Sequence, residues 1–136
     1  MEFEEREIDP IEECQNVVEN FSDKPIVNYG GNRAYYAPIS DSVILPQINH
    51  FKSSEDYYST LFHELVHSTG HVSRLNRTTI TDHNPFGSND YSKEELVAEI
   101  GASFLCGIAG IENETIDNSA SYIKSWLGEH LRTMLR

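Results

Sequence analysis

The residues with the clearest chemical potential lie in the stretch YYSTLFHELVHSTGHVSRLNR, residues 57–77, which contains the pattern His-Glu-x-x-His at His63, Glu64 and His67. On an α-helix the positions i and i+4 lie on one face, so both imidazoles can bind a single metal ion. Glu64 is rotated about 100° away from His63 and can instead reach a water held by that ion. The pattern therefore predicts a hydrolytic metal site, with Glu64 as general base and then general acid.

A metal site of this kind needs a third protein ligand, which the motif does not supply. A histidine ten residues after His63 would complete the metzincin pattern, but Ser73 stands there and His71 falls two residues short. The segment YSKEELVAEIGASF offers instead Glu95 and Glu99, which are again i and i+4. We predict that Glu95 binds the metal and that Glu99 accepts a hydrogen bond from a ligating imidazole.

Several alternatives stay open when only the residues are considered. The motif could be a chance match on an ordinary helix with solvated polar side chains. Ser92 and Glu95 also fit a capping box, in which Glu95 bonds back to the backbone of Ser92. Glu99 could pair with Lys93 or Lys124 on the surface, and the roles of Glu95 and Glu99 could be exchanged.

The elements around the motif indicate helices packed on a small sheet, which is an α+β fold. Apolar residues at helical spacing predict a first helix over residues 10–21 with Asp9 as N-cap. Three β-prone runs follow, broken at Gly30 and Gly31, and Pro38 and Pro46 restrict them to short or edge strands.

Two further helices should carry the candidate site. The motif helix should begin near Ser53 or Ser54, which are N-cap types, and end near Gly70. A loop (TTITDHNPFGSND) leads to a second helix that should start at Ser92 and run to about Gly110. Small residues on this second helix would permit close approach to the motif helix; they are Ala98, Gly101 and Ala102. A last amphipathic helix is predicted after residue 118.

Composition and charge restrict the class of protein. The 136 residues fit one globular domain, residues 1–136, with 38% hydrophobic and 24% charged residues. No apolar run approaches the roughly 20 residues of a membrane span, and the acidic N-terminus argues against a secretory signal, so we expect a cytoplasmic protein. Cys14 and Cys106 do not indicate a disulfide framework, and Cys106 is expected to be a small buried residue. A net charge of −12 predicts that this domain alone does not bind nucleic acid.

The two motifs taken together resemble a known family. LFHELVHSTGHVSRLNR, then YSKEELVAEIGASFLC and NSASYIKSWL, are similar to the zincin-like metallopeptidase domain of ArdC-type antirestriction proteins, TraC-type primases and phage polyvalent proteins. The similarity covers about residues 30–127. It implies a zincin-like fold with a small mixed sheet, whose edge strand in AYYAPISDSVILP borders the substrate cleft. A single-stranded-DNA-binding domain normally precedes this domain in the family, and this chain is expected to lack it.

The order Glu-x-x-Ala-Glu, from Glu95 to Glu99, also resembles that of glutamate-ligand zincins such as anthrax lethal factor. This resemblance implies that Glu95 binds the metal and that Glu99 supports a histidine. It further implies a tyrosine that assists the oxyanion, for which Tyr91 is the candidate, although packing at the helix start explains Tyr91 equally well. His71 and His83 could line the cleft, but a surface or loop position is the simpler interpretation.

Two functions follow as hypotheses. The first is a metal-dependent peptidase of the antirestriction or mobile-element type, which binds one Zn²⁺ and cleaves a peptide or protein substrate. Mn²⁺, Ni²⁺ or Co²⁺ could occupy the same ligands. The second is a non-catalytic acidic module that mimics DNA phosphates and keeps the metal for structure only. No membrane partner and no particular oligomeric state are predicted.

Overall fold

The computed structural model describes residues 9–82 and 88–115, together with Lys124, Leu127, Gly128 and Arg132. Its elements, in chain order, are α1 (Glu12–Glu19), β1 (Ile26–Tyr29), β2 (Tyr35–Ala37), β3 (Ser42–Leu45), a 3-10 turn (Ile48–His50), α2 (Ser54–Ser68), α3 (Thr78–Thr81) and α4 (Asn89–Ala109). This is the α+β architecture expected from the sequence. None of the described helices is both long and apolar enough to cross a membrane.

Within the described residues the sheet has three short strands in the order β1-β3-β2, with β1 parallel and β2 antiparallel to β3. Val43 in β3 pairs with Val27 on one side and Tyr36 on the other, so β3 is the central strand. The small mixed sheet is thus confirmed. In the segment AYYAPISDSVILP, β2 is an edge strand, whereas β3 is the central strand. Gly31, between β1 and β2, has a φ of 69°, which glycine adopts without strain.

The first helix begins later than predicted, and its cap is wrong. Ile11 is the N-cap and makes no side-chain cap bond. Asp9 does not cap because this segment is tethered to α2 instead. The Asp9 carbonyl accepts a hydrogen bond from Ser54 Oγ at 2.7 Å, and the Ile11 N–H lies 3.4 Å from the hydroxyl of Tyr58.

The start of α2 is as predicted, whereas its end is built differently. Ser53 is the N-cap, and its Oγ accepts from the Asp56 N–H at 3.0 Å. Gly70 does not adopt the left-handed conformation, since the described glycines with positive φ are Gly31 and Gly110. It provides space instead, because a Cβ on Gly70 would lie 2.9 Å from Cζ of Arg77.

The helix α4 starts one turn before the predicted residue. Ser88 is the N-cap, and its Oγ accepts from the Tyr91 N–H at 3.2 Å. Ser92 lies inside the helix and its N–H donates to the Ser88 carbonyl, so the capping box of Ser92 and Glu95 is wrong. Both serines are good N-cap types, and spacing alone does not distinguish them. The helix ends at Gly110 with a φ of 79°, as expected.

Close packing of α2 against α4 brings the two sequence motifs together. Ala98 and Ala102 are fully buried, and a Cβ on Gly101 would lie 2.7 Å from Val66 Cγ1. Small residues therefore let the two backbones approach, as the sequence predicted. Cys14 and Cys106 are both buried and unbonded to each other, so Cys106 is the small core residue expected.

Two predicted segments need separate mention. The loop before α4 contains the short helix α3, which the sequence analysis missed. The C-terminal helix predicted after residue 118 lies largely outside the described residues, although the four described positions there are helical. His83 also lies outside the described residues.

Candidate metal centre

Two imidazoles and one carboxylate converge between α2 and α4. His63 Nε2 lies 3.2 Å from Glu95 Oε2, and His67 Nε2 lies 3.1 Å from Glu95 Oε1. One ligand atom from each of these residues lies within 4.8 Å of the others. Two Nε2 atoms and one carboxylate are the donor set of a His₂Glu site, so these three residues could hold one metal ion.

The motif side chains are buried rather than solvated. His63, Glu64 and His67 are 6%, 8% and 7% exposed, so a chance match with solvated polar groups is wrong. Burial raises the pKa of Glu64, because removing a carboxylate from water disfavours its charged form. A carboxyl group with a raised pKa is suited to accept and return a proton near neutral pH.

Behind His67 stands Glu94, a residue that the sequence analysis did not single out. The Nδ1 atom of His67 lies 2.7 Å from Glu94 Oε2. Arg77 donates to both oxygens of the same carboxylate, with distances of 2.7 and 3.0 Å, and the hydroxyl of Thr79 donates at 2.7 Å. Glu94 is buried, and its two oxygens form hydrogen bonds with the side chains of His67, Arg77 and Thr79.

Behind His63 stands Glu99. His63 Nδ1 lies 3.4 Å from Glu99 Oε2. The Glu99 carboxylate accepts hydrogen bonds from the Thr115 hydroxyl, at 3.0 and 3.1 Å, and from the Asn113 side-chain amide. Glu99 is buried, so it does not lie on the surface, where the alternative of a lysine pairing had placed it. Glu95 thus faces both Nε2 atoms, whereas Glu99 faces one Nδ1 atom.

The carboxylates around the two imidazoles favour the presence of positive charge at this site. Burial alone lowers the pKa of His63 and His67, but the adjacent carboxylates outweigh it and raise these pKa values to about 9 and about 10. Burial of Glu95 opposes its ionisation, but hydrogen bonds from both histidines hold its pKa well below the usual range. Without a metal, protons on the imidazoles balance the carboxylates. A divalent cation fits the same donor set and would balance them instead.

The candidate ligands open onto a cavity of about 840 Å³. His63, Glu64, His67 and Glu95 line it together with Tyr91. Strand β2 and its flanking residues form a further part of the wall, and α3 contributes another. The edge strand therefore borders the cleft, as the family resemblance implied. His71 is not part of this wall; its Nδ1 lies 2.8 Å from Ser73 Oγ.

A family model described as a zincin-like metallopeptidase matches residues 13–133. The chain belongs to this family. The chain is 44% identical over 102 residues to DNA primase TraC of Escherichia coli, which is 75% of this chain and 7% of the primase. It is 36% identical over 107 residues to the uncharacterized protein y4eC of Sinorhizobium fredii, which is 79% of this chain and 34% of that protein.

Two solved structures show the same fold. Both are of the antirestriction ArdC protein from plasmid R388, at 34% identity. The TM-score is 0.77 for its Mn(II)-bound structure and 0.69 for its metal-free structure, with 93% and 94% of this chain covered. The chain spans 45% and 44% of the ArdC chains. It therefore corresponds to a part of each of these longer proteins.

Proposed function

We propose that the chain is a metal-dependent peptidase domain of the antirestriction or mobile-element type. The observation that carries this proposal is the arrangement in the cavity, where Glu64 lines the same wall as the converging atoms of His63, His67 and Glu95. Family membership supports a hydrolase, since the family is described as metallopeptidases.

Each side chain has a definite role in this proposal. A bound divalent cation supplies a Lewis acid that polarises a carbonyl and acidifies water. His63, His67 and Glu95 would hold it. Glu64 accepts the proton of the attacking water and passes it to the leaving amine, for which its raised pKa is suited. Tyr91 donates a hydrogen bond to the developing oxyanion.

We propose Zn²⁺ as the metal, because two imidazoles and one carboxylate with an open fourth position are a typical catalytic zinc site. Mn²⁺, Ni²⁺ and Co²⁺ can bind the same donors. Mn²⁺ has particular support, since the related ArdC structure with the higher TM-score contains Mn(II).

We propose a peptide or protein as the substrate, bound along the edge strand β2. Nucleic acid is not expected to bind this domain alone, because the net charge is −12 and two of the ten basic residues are paired with carboxylates of the same chain. Arg74 and Arg77 bond to Asp41 and Glu94, respectively. A cytoplasmic location agrees with two buried cysteines that form no disulfide.

The proposal is tested by Glu64→Gln in a digest of a peptide library followed by mass spectrometry. The zinc-loaded protein should cleave, and the variant should cleave about 100- to 10,000-fold more slowly while binding zinc as tightly. Glu112→Gln makes the same chemical change on an exposed side chain and should cleave like the parent protein. Tyr91→Phe should lower kcat and leave zinc affinity unchanged. Parent-like cleavage by Glu64→Gln would exclude the mechanism.

An acidic binding module is the second candidate, favoured by the net charge and by the antirestriction activity named for ArdC. In that case protection against a restriction nuclease should survive Glu64→Gln. It should be lost when exposed acidic residues of α1 are neutralised together, by Glu12→Gln, Glu13→Gln and Glu19→Gln. The peptidase hypothesis predicts the opposite outcome for both variants.

A further inference from the structure

Arg77 fills the space beneath the C-terminal end of α2. Its NH2 group lies 3.3 Å from the carbonyl of Val66 and 3.4 Å from that of His67, and its NH1 group donates to Thr69 Oγ1 at 2.8 Å. A guanidinium is well placed there, because the last carbonyls of a helix carry partial negative charge. The same guanidinium makes the two bonds to Glu94, so it links the helix end to the carboxylate.

Gly70 is the residue that leaves room for this guanidinium. A Cβ at this position would lie 2.9 Å from Cζ and from NH2 of Arg77, and 2.7 Å from Cγ1 of Ile80. The flexible end of Arg77 would have to move away to relieve that contact. Gly70 has no positive φ that would otherwise explain glycine here.

The bonds to Glu94 determine which nitrogen of His67 faces the site. Both oxygens of Glu94 accept hydrogen bonds from the guanidinium of Arg77, and Oε1 also accepts from the Thr79 hydroxyl, so this carboxylate faces His67 as a hydrogen-bond acceptor. His67 Nδ1 must therefore carry the proton that it shares with Glu94 at 2.7 Å. With the proton on Nδ1, the lone pair of the ring lies on Nε2, the nitrogen that faces the candidate metal site.

We propose that Glu94 and Arg77 are positioning residues for the metal site. Arg77 holds the Glu94 carboxylate, Glu94 fixes the tautomer and ring orientation of His67, and Gly70 provides the space that Arg77 needs. The hydroxyl of Thr79 in α3 donates to the same carboxylate. Glu94 therefore connects a residue of the cavity wall, Thr79, with the candidate ligand His67. This inference rests on the proposed metal-binding function.

The test measures the affinity of the full chain for Co²⁺ and Zn²⁺ by calorimetry and chelator competition. Glu94→Gln should weaken binding by about 10- to 100-fold, as is usual for partners of ligating histidines. Arg77→Lys keeps the charge but loses the two-point contact. Gly70→Ala places a Cβ against the guanidinium and against Ile80 in the cavity wall, and it leaves Glu94 and the candidate ligands chemically unchanged. Each should weaken binding by about tenfold.

Arg74→Lys is the matched control. Arg74 also binds a carboxylate through two nitrogens, Asp41 at 2.8 and 2.9 Å, and also contacts a carbonyl near the end of α2, that of Ser68 at 3.1 Å. The hydrogen bonds described for Arg74 go to Asp23, Asp41 and Ser68, and none of these is a candidate ligand. The replacement of Arg74 should lower the Tm and leave metal affinity within about twofold of the parent protein.

A second readout separates positioning from general stability. The Co²⁺ absorption spectrum and the ¹⁵N chemical shifts of the histidine rings report ligand geometry and tautomer directly. Both should change in Glu94→Gln and Arg77→Lys and stay constant in Arg74→Lys.

Parent-like affinity and spectra in Arg77→Lys would overturn the inference, as would an equal loss of affinity in Arg74→Lys. If the parent protein itself binds no divalent cation, the proposed metal function fails, and this inference fails with it.

Discussion

The two candidate histidine ligands are supported by carboxylates in contrasting surroundings. Behind His67, Glu94 is paired with the guanidinium of Arg77. Behind His63, Glu99 is held by neutral donors, the hydroxyl of Thr115 and the amide of Asn113. Both carboxylates are buried to a similar degree, with 4% exposure each.

This difference separates two ways of stabilising a buried carboxylate. Glu94 and Arg77 compensate each other's charge, so removing one leaves the other as an unpaired charge. The described contacts of Glu99 are with His63 Nδ1 and with the neutral side chains of Asn113 and Thr115, and the imidazole carries a positive charge only when it is protonated. We therefore expect the Glu94 side to matter more for folding, while both sides matter for metal binding.

The largest expected effect comes from Glu95→Gln, which removes the carboxylate that both halves of the site share. Structural zinc binding is worth about 10–16 kcal/mol over four ligands, so losing one ligand should weaken binding by on the order of 100- to 1000-fold. Glu99→Gln should cost only about 10- to 100-fold. Chelator competition measures both, and a greater loss in Glu99→Gln would mean that the two glutamates have exchanged roles.

The next effect concerns the folding stability of the metal-free protein. Glu94→Gln leaves Arg77 without its counter-charge and should lower the free energy of unfolding by about 2–4 kcal/mol, since Arg77 is partly exposed. Glu99→Gln keeps an acceptor for the neutral donors Thr115 and Asn113 and leaves His63 beside the carboxylate of Glu95, so it should lower the free energy of unfolding by less than Glu94→Gln does. Urea unfolding of the metal-free proteins measures the free energy of unfolding of both variants. Equal losses would show that the pairing with Arg77 does not distinguish the two sides.

The smallest effect is a difference in proton binding between the two sides. In the metal-free protein the pKa values of His63 and His67 are about 9 and about 10, both above the ordinary value of 6.5. The stabilisation from these pairs is complete below about pH 6.5 and is lost as the pH rises through the folded-state pKa values. Unfolding free energy should therefore already decline between pH 7 and 8.5, and NMR titration should find His67 the more basic.

Saturating zinc provides the control for this pH dependence. A metal binds the neutral imidazoles, so the decline between pH 7 and 8.5 should vanish and zinc binding should release protons. A metal-free protein whose stability is constant or increases over this range would contradict the raised pKa values.

The sequence predicted the parts of the site that follow from helical spacing. His63 and His67 share a face of α2, and Glu95 and Glu99 share a face of α4, because each pair is i and i+4. The close approach of α4 to α2 was also predicted from the sequence, because Ala98 and its small neighbours have side chains short enough to let the two helices pack closely. These are properties of a single helix, and the chain needs no tertiary information to encode them.

The support behind His67 was missed because it depends on three separate segments. Arg77 lies beyond the end of α2, and its contact with Glu94 depends on how the intervening chain turns back. One signal was available in the sequence. Ala98, Ala102 and Cys106 are buried positions spaced four residues apart, and Glu94 lies four residues before the first of them. A charged residue on that stripe must face inward and must therefore have partners.

The outer face of α4 gives a second lesson about prediction. Its large apolar residues Ile100, Phe104 and Ile108 are each more than 60% exposed in the described part of the chain, whereas small and acidic residues face inward. Hydrophobicity alone would have oriented this helix the opposite way. Its orientation is determined instead by two requirements: small residues must face α2 for close packing, and the carboxylates must face the candidate site.

Anomalous diffraction from a zinc-soaked crystal tests the central claim most directly. The account predicts a single strong peak about 2.0–2.2 Å from Nε2 of His63, Nε2 of His67 and a carboxylate oxygen of Glu95, with Glu94 and Glu99 on the far nitrogens of the two rings. A peak bound by Glu99 in place of Glu95, or no peak between the two histidines, would contradict it.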